Sequence, residues 1–387
     1  MTSTLFVFDH KYPKDDEGTY YYSSGFDQDF FSRYFQIFDR FDIFGRSLII
    51  DKGIATPIDY CKFPTKITTI ASNKKMVAAY SRLKNEILLH DAVICRMPSL
   101  FGALAIYICR MYKIPYIVEI VACTYDALVN SPSWKRRLMA MPAELIYREV
   151  LKDNPYNVYV TKKFLQEKYP SSGTHIACSN VTLNEVDKTV LDKRMDKLSR
   201  FDKRGKIIIG TTSTLNVDFK GQKYVIHALP RLLEAGYDIE YQMVGDGDGA
   251  WLMDIATSLG VQNKVKIVGR LNHDDVFKWL DNIDVYVHPS CQEGLSRAII
   301  EAMSRACPIV ACDAGGIHEL IEESFIVAKK DVEGMSNTLL RVLLSDMSSM
   351  AVYNFENSKE YVKSVLYKRR EEYYHEFLLN NKLCSKK

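Results

Sequence analysis

The chain alternates short apolar runs of β character with longer stretches of helical periodicity, and does so twice, with one highly charged break between. That alternation has few solutions. Parallel strands need a crossover of a dozen or more residues, usually a helix, so the helices come to cover both faces of a parallel sheet. In the first half the expected strands are Leu5–Phe8, Ala92–Cys95, Tyr116–Val121 and Val158–Val160, with helices at Phe30–Phe38, Leu100–Met111 and about Lys162–Lys168. In the second half Lys206–Gly210, Ile239–Val244, Val265–Val268, Val285–Val287 and Pro308–Ala311 read as strands with helices between them. The fold class is α/β, as two doubly wound domains.

From Glu185 to Lys206, thirteen of twenty-two residues are charged, which reads as a solvated linker carrying a short helix. The expected division is a first domain over 1–184, a linker over 185–205, a second domain over 206–356 and a closing helical segment over 357–387. A length of 387 residues suits two domains of the usual size of about 150.

Composition removes several function classes. Fifty-one basic against forty-eight acidic residues give a net charge of +3, too balanced for a dedicated nucleic-acid binder. Nine cysteines with no CxxC pair make neither a disulfide framework nor a clustered zinc site, so reduced and mostly buried thiols are expected. The start, MTSTLFVFDH, lacks the basic and long apolar regions of a signal peptide. The longest apolar stretch, Leu100–Cys109, is about half the roughly twenty residues of a membrane span. A cytoplasmic chain, attached at most peripherally to the inner face of the cytoplasmic membrane, is expected.

The densest chemistry lies in Asp284–Leu320, DVYVHPSCQEGLSRAIIEAMSRACPIVACDAGGIHEL, which reads as strand, loop, helix, strand and glycine turn. Ligands of open α/β sheets bind at the carboxyl ends of strands, where this loop falls. Gly294, Leu295 and Ser296 would present amides at a helix start suited to phosphate, and Glu301 could accept two ribose hydroxyls. On periodicity alone the plainer reading, one loop Glu293 and one helix-surface Glu301, is equally served.

The stretch HPS-x-x-EG-x6-EAM-x4-P-IVA-x-DAGG-x-x-E resembles the nucleotide-binding signature of retaining glycosyltransferases of family 4, with Glu293 and Glu301 as the EX7E pair. Lys220-Gly221 resembles its KG element, Val244–Gly247 its VGDG turn, and Val268-Gly-Arg270 its strand end. LFVFDHKYPK, YYSSGF, ICRMPS, the VEIV strand before TYDALVN, and VTKKFLQEKYP followed by SNV resemble members that build bacterial exopolysaccharide, capsule or O-antigen. The resemblance implies a GT-B fold: two Rossmann-like domains facing a cleft, the first acceptor-facing, with a C-terminal crossover helix that returns to it. It implies transfer, with retention, of a hexosyl-type sugar from a UDP- or GDP-sugar to a hydroxyl of a growing glycan or lipid-linked oligosaccharide.

In the scheme the resemblance implies there is no protein nucleophile; the leaving diphosphate takes the acceptor proton, and the protein orients reactants and stabilises charge. Lys220 would pair with the diphosphate beside the amides of Gly294, Leu295 and Ser296. Glu301 would hold the ribose, Glu293 the hydroxyls of the transferred sugar, and Gly269-Arg270 would face the base. Thr212, Ser213 and Gly245 complete the expected donor-binding set. No metal or other cofactor is required in this scheme, and Asp246-Gly-Asp248 reads as turn chemistry.

Two departures stand out. Many members carry an arginine six or seven residues before the KG lysine; here Ser213 and Thr214 occupy that window, and Arg297 is a possible replacement. Many also place a histidine after a strand of the first domain; VEIVACTYD has none, leaving Glu119 and Asp126 as polar candidates, with helix capping the alternative for Asp126. His10 is a further polar group, and Gly25, after Ser23-Ser24, could let backbone approach donor or acceptor.

Trp134-Lys-Arg-Arg-Leu-Met139 opens a helical stretch to about Lys152 that Pro142 would kink or divide. Trp134, Leu138, Met141 and Leu145 form one stripe beside Lys135, Arg136 and Arg137, which suits an anionic membrane surface or, more plainly, packing on the sheet. Two other readings stay open: a catalytically degenerate paralogue that binds a glycan or partner, and a sugar-nucleotide epimerase of the same fold.

Overall fold

In a computed structural model, residues 2–23, 25–51, 57–58, 65–71 and 76–383 are described. They divide into two units: Met1–Thr182 with Leu366–Lys387, and Leu183–Val365.

The first unit is built on seven strands: β1 (Ser3–Lys14), β2 (Arg40–Ile49), β3 (Ile67–Ala71), β4 (Ala92–Met97), β5 (Tyr116–Ile120), β6 (Tyr156–Tyr159) and β7 (Thr174–Ala177). Their order is β3-β2-β1-β4-β5-β6-β7, with every pairing parallel. The order reverses between β1 and β4, the switch point of a doubly wound sheet. β4 and β5 are buried along their whole length, as strands covered on both faces must be. Against β1 the helix Gln28–Phe35 packs an aromatic cluster, with Phe6 meeting Phe30 and Tyr34 at centroid distances of 5.9 Å each. The register of β1 on β2 shifts between Val7 and Lys11, so Phe8, Asp9 and His10 bulge out. Gly45 makes room there, because a Cβ on it would stand 2.5 Å from the Tyr12 ring.

The second unit has six parallel strands: β8 (Lys206–Thr212), β9 (Asp238–Val244), β10 (Val265–Gly269), β11 (Val285–His288), β12 (Ile309–Cys312) and β13 (Ile326–Val327). The order is β10-β9-β8-β11-β12-β13, with the switch point between β8 and β11. One core of Ile, Val, Leu and Met side chains from these strands and the helices Gln222–Glu234 and Val332–Leu344 fills the unit.

The stretch expected as a solvated linker belongs to the second unit. Its helix Lys188–Ser199 buries Leu191 and Arg194, and the Arg194 guanidinium donates to the carbonyls of Leu280 and Ile283, both at 2.7 Å. A run of charges reads as solvated, but here one cation satisfies carbonyls at the end of the helix His273–Asn282. The last helix, Lys363–Asn380, joins the first unit from Leu366 onward: Tyr373 Oη accepts from Asn157 N at 2.9 Å and donates to Thr174 O at 2.7 Å. Among the described residues no helix is long and apolar enough to cross a membrane, and all seven described cysteines are free and buried. Cys61, Cys384 and Ser24 lie outside the described residues.

Candidate functional site

Glycine turns and polar side chains converge at the carboxyl ends of the second unit's strands. Gly245, after β9, has φ +155°, and a Cβ on it would stand 1.8 Å from Ser213 O, so the turn admits no side chain. Its N–H donates to the carbonyl of Gly269, which ends β10 at φ +86°. Thr212 ends β8 and its hydroxyl lies 2.8 Å from that of the buried Tyr286. Ser213 donates its N–H to Val244 O, and its hydroxyl accepts from the buried Gln222 amide, which also donates to Thr214 O at 3.0 Å. The expected arginine window is thus filled by neutral groups held by Gln222. Arg297 stands exposed in the first turn of the helix Arg297–Ser304, with no ion pair among the described residues.

Lys220 ends a single 3-10 turn, Asp218–Lys220, which closes through Gly221 at φ +76°. A Cβ on Gly221 would stand 2.0 Å from Pro289 O, so glycine lets this turn lie against the loop after β11. The consequence is an ion pair: Lys220 Nζ is 2.7 Å from Glu293 Oε1, with the two side chains 22% and 13% exposed. His288, at the end of β11, places Nε2 3.1 Å from the same oxygen and 3.2 Å from Ser296 Oγ. Burial works against the Glu293 charge, but Lys220 and His288 outweigh it and hold the carboxyl well below the usual carboxylate range.

Ser296 is the N-cap of the Arg297–Ser304 helix, its hydroxyl accepting from Ile299 N. The Gly315-Gly316 turn backs this loop: Gly316 N donates to Gly294 O at 2.8 Å, and a Cβ on Gly315 would meet Glu293 O. Glu301, on the same helix, has its carboxylate 3.7 Å from His273 Nε2 at the start of the neighbouring helix. Arg270 is exposed, 3.6 Å from Asp246 Oδ1. Asp246 O accepts from Leu215 N, and the Asp248 carboxylate from Ala250 N, so both aspartates serve the turn. Among the described residues no group of three or more His, Cys, Asp and Glu could hold a metal ion.

In the first unit the polar candidates stand in different settings. Glu119 is 1% exposed in β5, where Arg96 Nη1 donates to one oxygen at 2.8 Å, and Tyr34 and Tyr374 donate to the other at 2.7 and 2.8 Å. Burial opposes its charge, yet Arg96 and Arg370 hold its carboxyl below the ordinary range. This corrects the expectation of a substrate-facing Glu119: it is the buried centre of an ion-pair network that ties the last helix to the sheet. Asp126 lies in the first turn of the helix Thr124–Val129 and does not cap it; the Cys123 sulfur accepts from Asp126 N. Gly25 has φ +78° in a turn closed by Phe26 N to Ser23 O. His10 Nε2 lies 2.6 Å from Ser23 Oγ, its ring stacked on Phe26.

His288 is the histidine of the HPS element that closes the apolar run DVYV, whereas Tyr286, Gln222 and His273 join the site with no sequence signal that singles them out.

Residues 206–345 match the family described as Glycosyl transferases group 1. The chain is 32% identical over 372 residues to protein CapJ of Staphylococcus aureus, covering 93% of this chain and 90% of that one. It is 30% identical over 133 residues to the amylovoran biosynthesis glycosyltransferase AmsK of Erwinia amylovora, covering 32% of this chain and 33% of that one. Its fold resembles Anabaena HepE crystallised with UDP, at TM-score 0.67 and 15% identity over 96% of this chain and 99% of that one. WaaG, a glycosyltransferase involved in lipopolysaccharide biosynthesis, is similar at TM-score 0.62 and 15% identity over 95% and 98%.

Proposed function

The chain belongs to the group 1 glycosyl transferases, and from that premise we propose that its second unit binds a UDP- or GDP-sugar and that the enzyme passes the sugar, with retained configuration, to a hydroxyl of a growing bacterial surface polysaccharide. The observation that carries this reading is the cluster at the switch point: Lys220, Glu293, His288 and the capped start of the Arg297–Ser304 helix meet where a parallel sheet binds its ligand.

The chemistry needs charge stabilisation more than covalent help. As the bond from sugar to diphosphate breaks, negative charge grows on the leaving diphosphate. Lys220 and the amides of Gly294, Leu295 and Ser296 are the groups to receive it, without a metal ion. The diphosphate takes the acceptor proton, and Glu293 binds hydroxyls of the transferred sugar. Glu301 binds the ribose, while Gly269 and Arg270 border the base. HepE with bound UDP supports a nucleotide donor, and AmsK supports polysaccharide assembly. A lipid-linked acceptor fits that assembly.

Calorimetric titration with UDP and GDP, followed by nucleotide release from a panel of their sugars, tests the reading. Binding of one diphosphate, weakened about 10- to 100-fold in Lys220→Ala as a charge-assisted contact predicts, is the expected outcome. Absence of binding to either would overturn it.

A further inference from the structure

Gln222 opens the helix Gln222–Glu234 and is fully buried, yet its Oε1 meets no hydrogen-bond partner among the described residues. An unpaired buried oxygen is a standing cost, and methionine would fill the same space without it. Space filling therefore does not account for this side chain. Its amide nitrogen does.

Nε2 lies 2.5 Å from Ser213 Oγ and 3.0 Å from Thr214 O. A carbonyl oxygen only accepts, so the nitrogen of the Gln222 amide, and not its oxygen, must face this pair. Ser213 Oγ then accepts the second N–H, and its own proton has to go elsewhere. Thr214 O, 3.5 Å away, is too distant for a good O–H···O bond and already receives Gln222. Ser213 N donates to Val244 O, which fixes the backbone carrying this hydroxyl just past the end of β8, beside the switch point. Ser213 stays part-exposed there, so its proton is available to an incoming anion. Two residues before Gln222, across the left-handed Gly221, Lys220 pairs with Glu293, so one turn sets both groups.

We propose that Gln222 is a positioning residue for the donor: its amide orients the Ser213 hydroxyl proton to donate to a diphosphate oxygen, a neutral contact in the window where many family members carry an arginine. The inference rests on the donor-site reading and adds to it the group that stands in for the second cation.

UDP and GDP are titrated calorimetrically into the full chain, Ser213→Ala, Gln222→Met and the double variant. Loss of a hydrogen bond to a charged oxygen should weaken binding about 10-fold or more in Ser213→Ala. In Gln222→Met the released Thr214 O competes for the hydroxyl proton, so affinity should fall about 3- to 10-fold. Because Gln222 acts through Ser213, the double variant should bind no more weakly than Ser213→Ala. A merely structural role predicts that the two losses multiply and that the melting temperature falls with the affinity. The melting temperature of Gln222→Met should instead stay near the parent's, since the groups it releases belong to part-exposed residues and the unpaired oxygen is gone. Multiplying losses, or unchanged affinity in either single variant, overturns this inference and leaves the donor site standing. A parent that binds neither diphosphate overturns the donor-site reading, and this inference with it.

Discussion

Lys220 Nζ and Glu293 Oε1 lie 2.7 Å apart although 73 positions separate them in the chain. The lysine proposed to meet a diphosphate thus pairs with the carboxylate proposed to meet the sugar. Each therefore holds the other in place at the strand ends, and binding a diphosphate must share or displace that pair. Preorganisation of this kind limits the ordering cost that ligand binding would otherwise carry.

Changing either partner should separate two effects. Lys220→Ala leaves Glu293 with His288 alone and should cost the second unit about 2 kcal/mol, besides weakening diphosphate binding. Glu293→Gln frees the lysine, so the diphosphate should bind at least as tightly while sugar transfer falls. Calorimetry with UDP or GDP and a transfer assay on the two variants check this; weaker diphosphate binding by Glu293→Gln would refute the sharing argument.

Gly221 and Gly236 both sit at positive φ, +76° and +87°, but only Gly221 is crowded. Alanine at Gly236 should cost only the left-handed penalty of about 1–2 kcal/mol. At Gly221 the clash with Pro289 O adds to it, and the loop carrying Glu293 must shift. Thermal melts should rank Gly221→Ala clearly below Gly236→Ala, and only the former should lose diphosphate affinity. Equal melting temperatures would contradict the close approach of the two turns.

Glu119→Gln keeps the shape of the side chain and removes the charge opposite Arg96. Breaking a buried pair from one side costs about 3–5 kcal/mol, so the melting temperature of the first unit should fall while diphosphate affinity stays as in the parent. Unchanged stability with lost transfer would restore a substrate-facing role.

Burial, reinforced by the positive charge of Arg96, pulls the His10 imidazole from 6.5 down to about 4. The unfolded chain takes up this proton near 6.5 and the folded chain only near 4, so stability falls as pH drops between those values and the loss levels off below them. Its size is on the order of 3 kcal/mol. Denaturant unfolding across that range should show a shallower decline in His10→Gln. An identical slope in parent and variant would remove His10 as its source.

Much of the second unit was legible because its strands are buried on both faces and read as plain apolar runs, as at Ile207–Ile209 and Val285–Val287. β2 and β3 escaped notice: RFDIFGRSLI carries arginines and a glycine, and ITTIA is short and half polar. β13 is two residues long. Pro142 was expected to kink or divide the helical stretch from Trp134 to about Lys152, and the stretch is divided. The break falls at Met139, and Pro142 sits in the first turn of the next helix, where its missing N–H costs nothing.

Local pattern thus determined what is local: alternating strands and helices, glycine turns at strand ends, and a glutamate loop before a capped helix. Tertiary structure alone decided the partners. Glu119 meets Tyr374, 255 positions away, and the stripe beginning at Trp134 faces outward instead of packing on the sheet. Periodicity records that a side chain has a preferred face, but which group or solvent meets that face depends on the packing of segments distant in the chain.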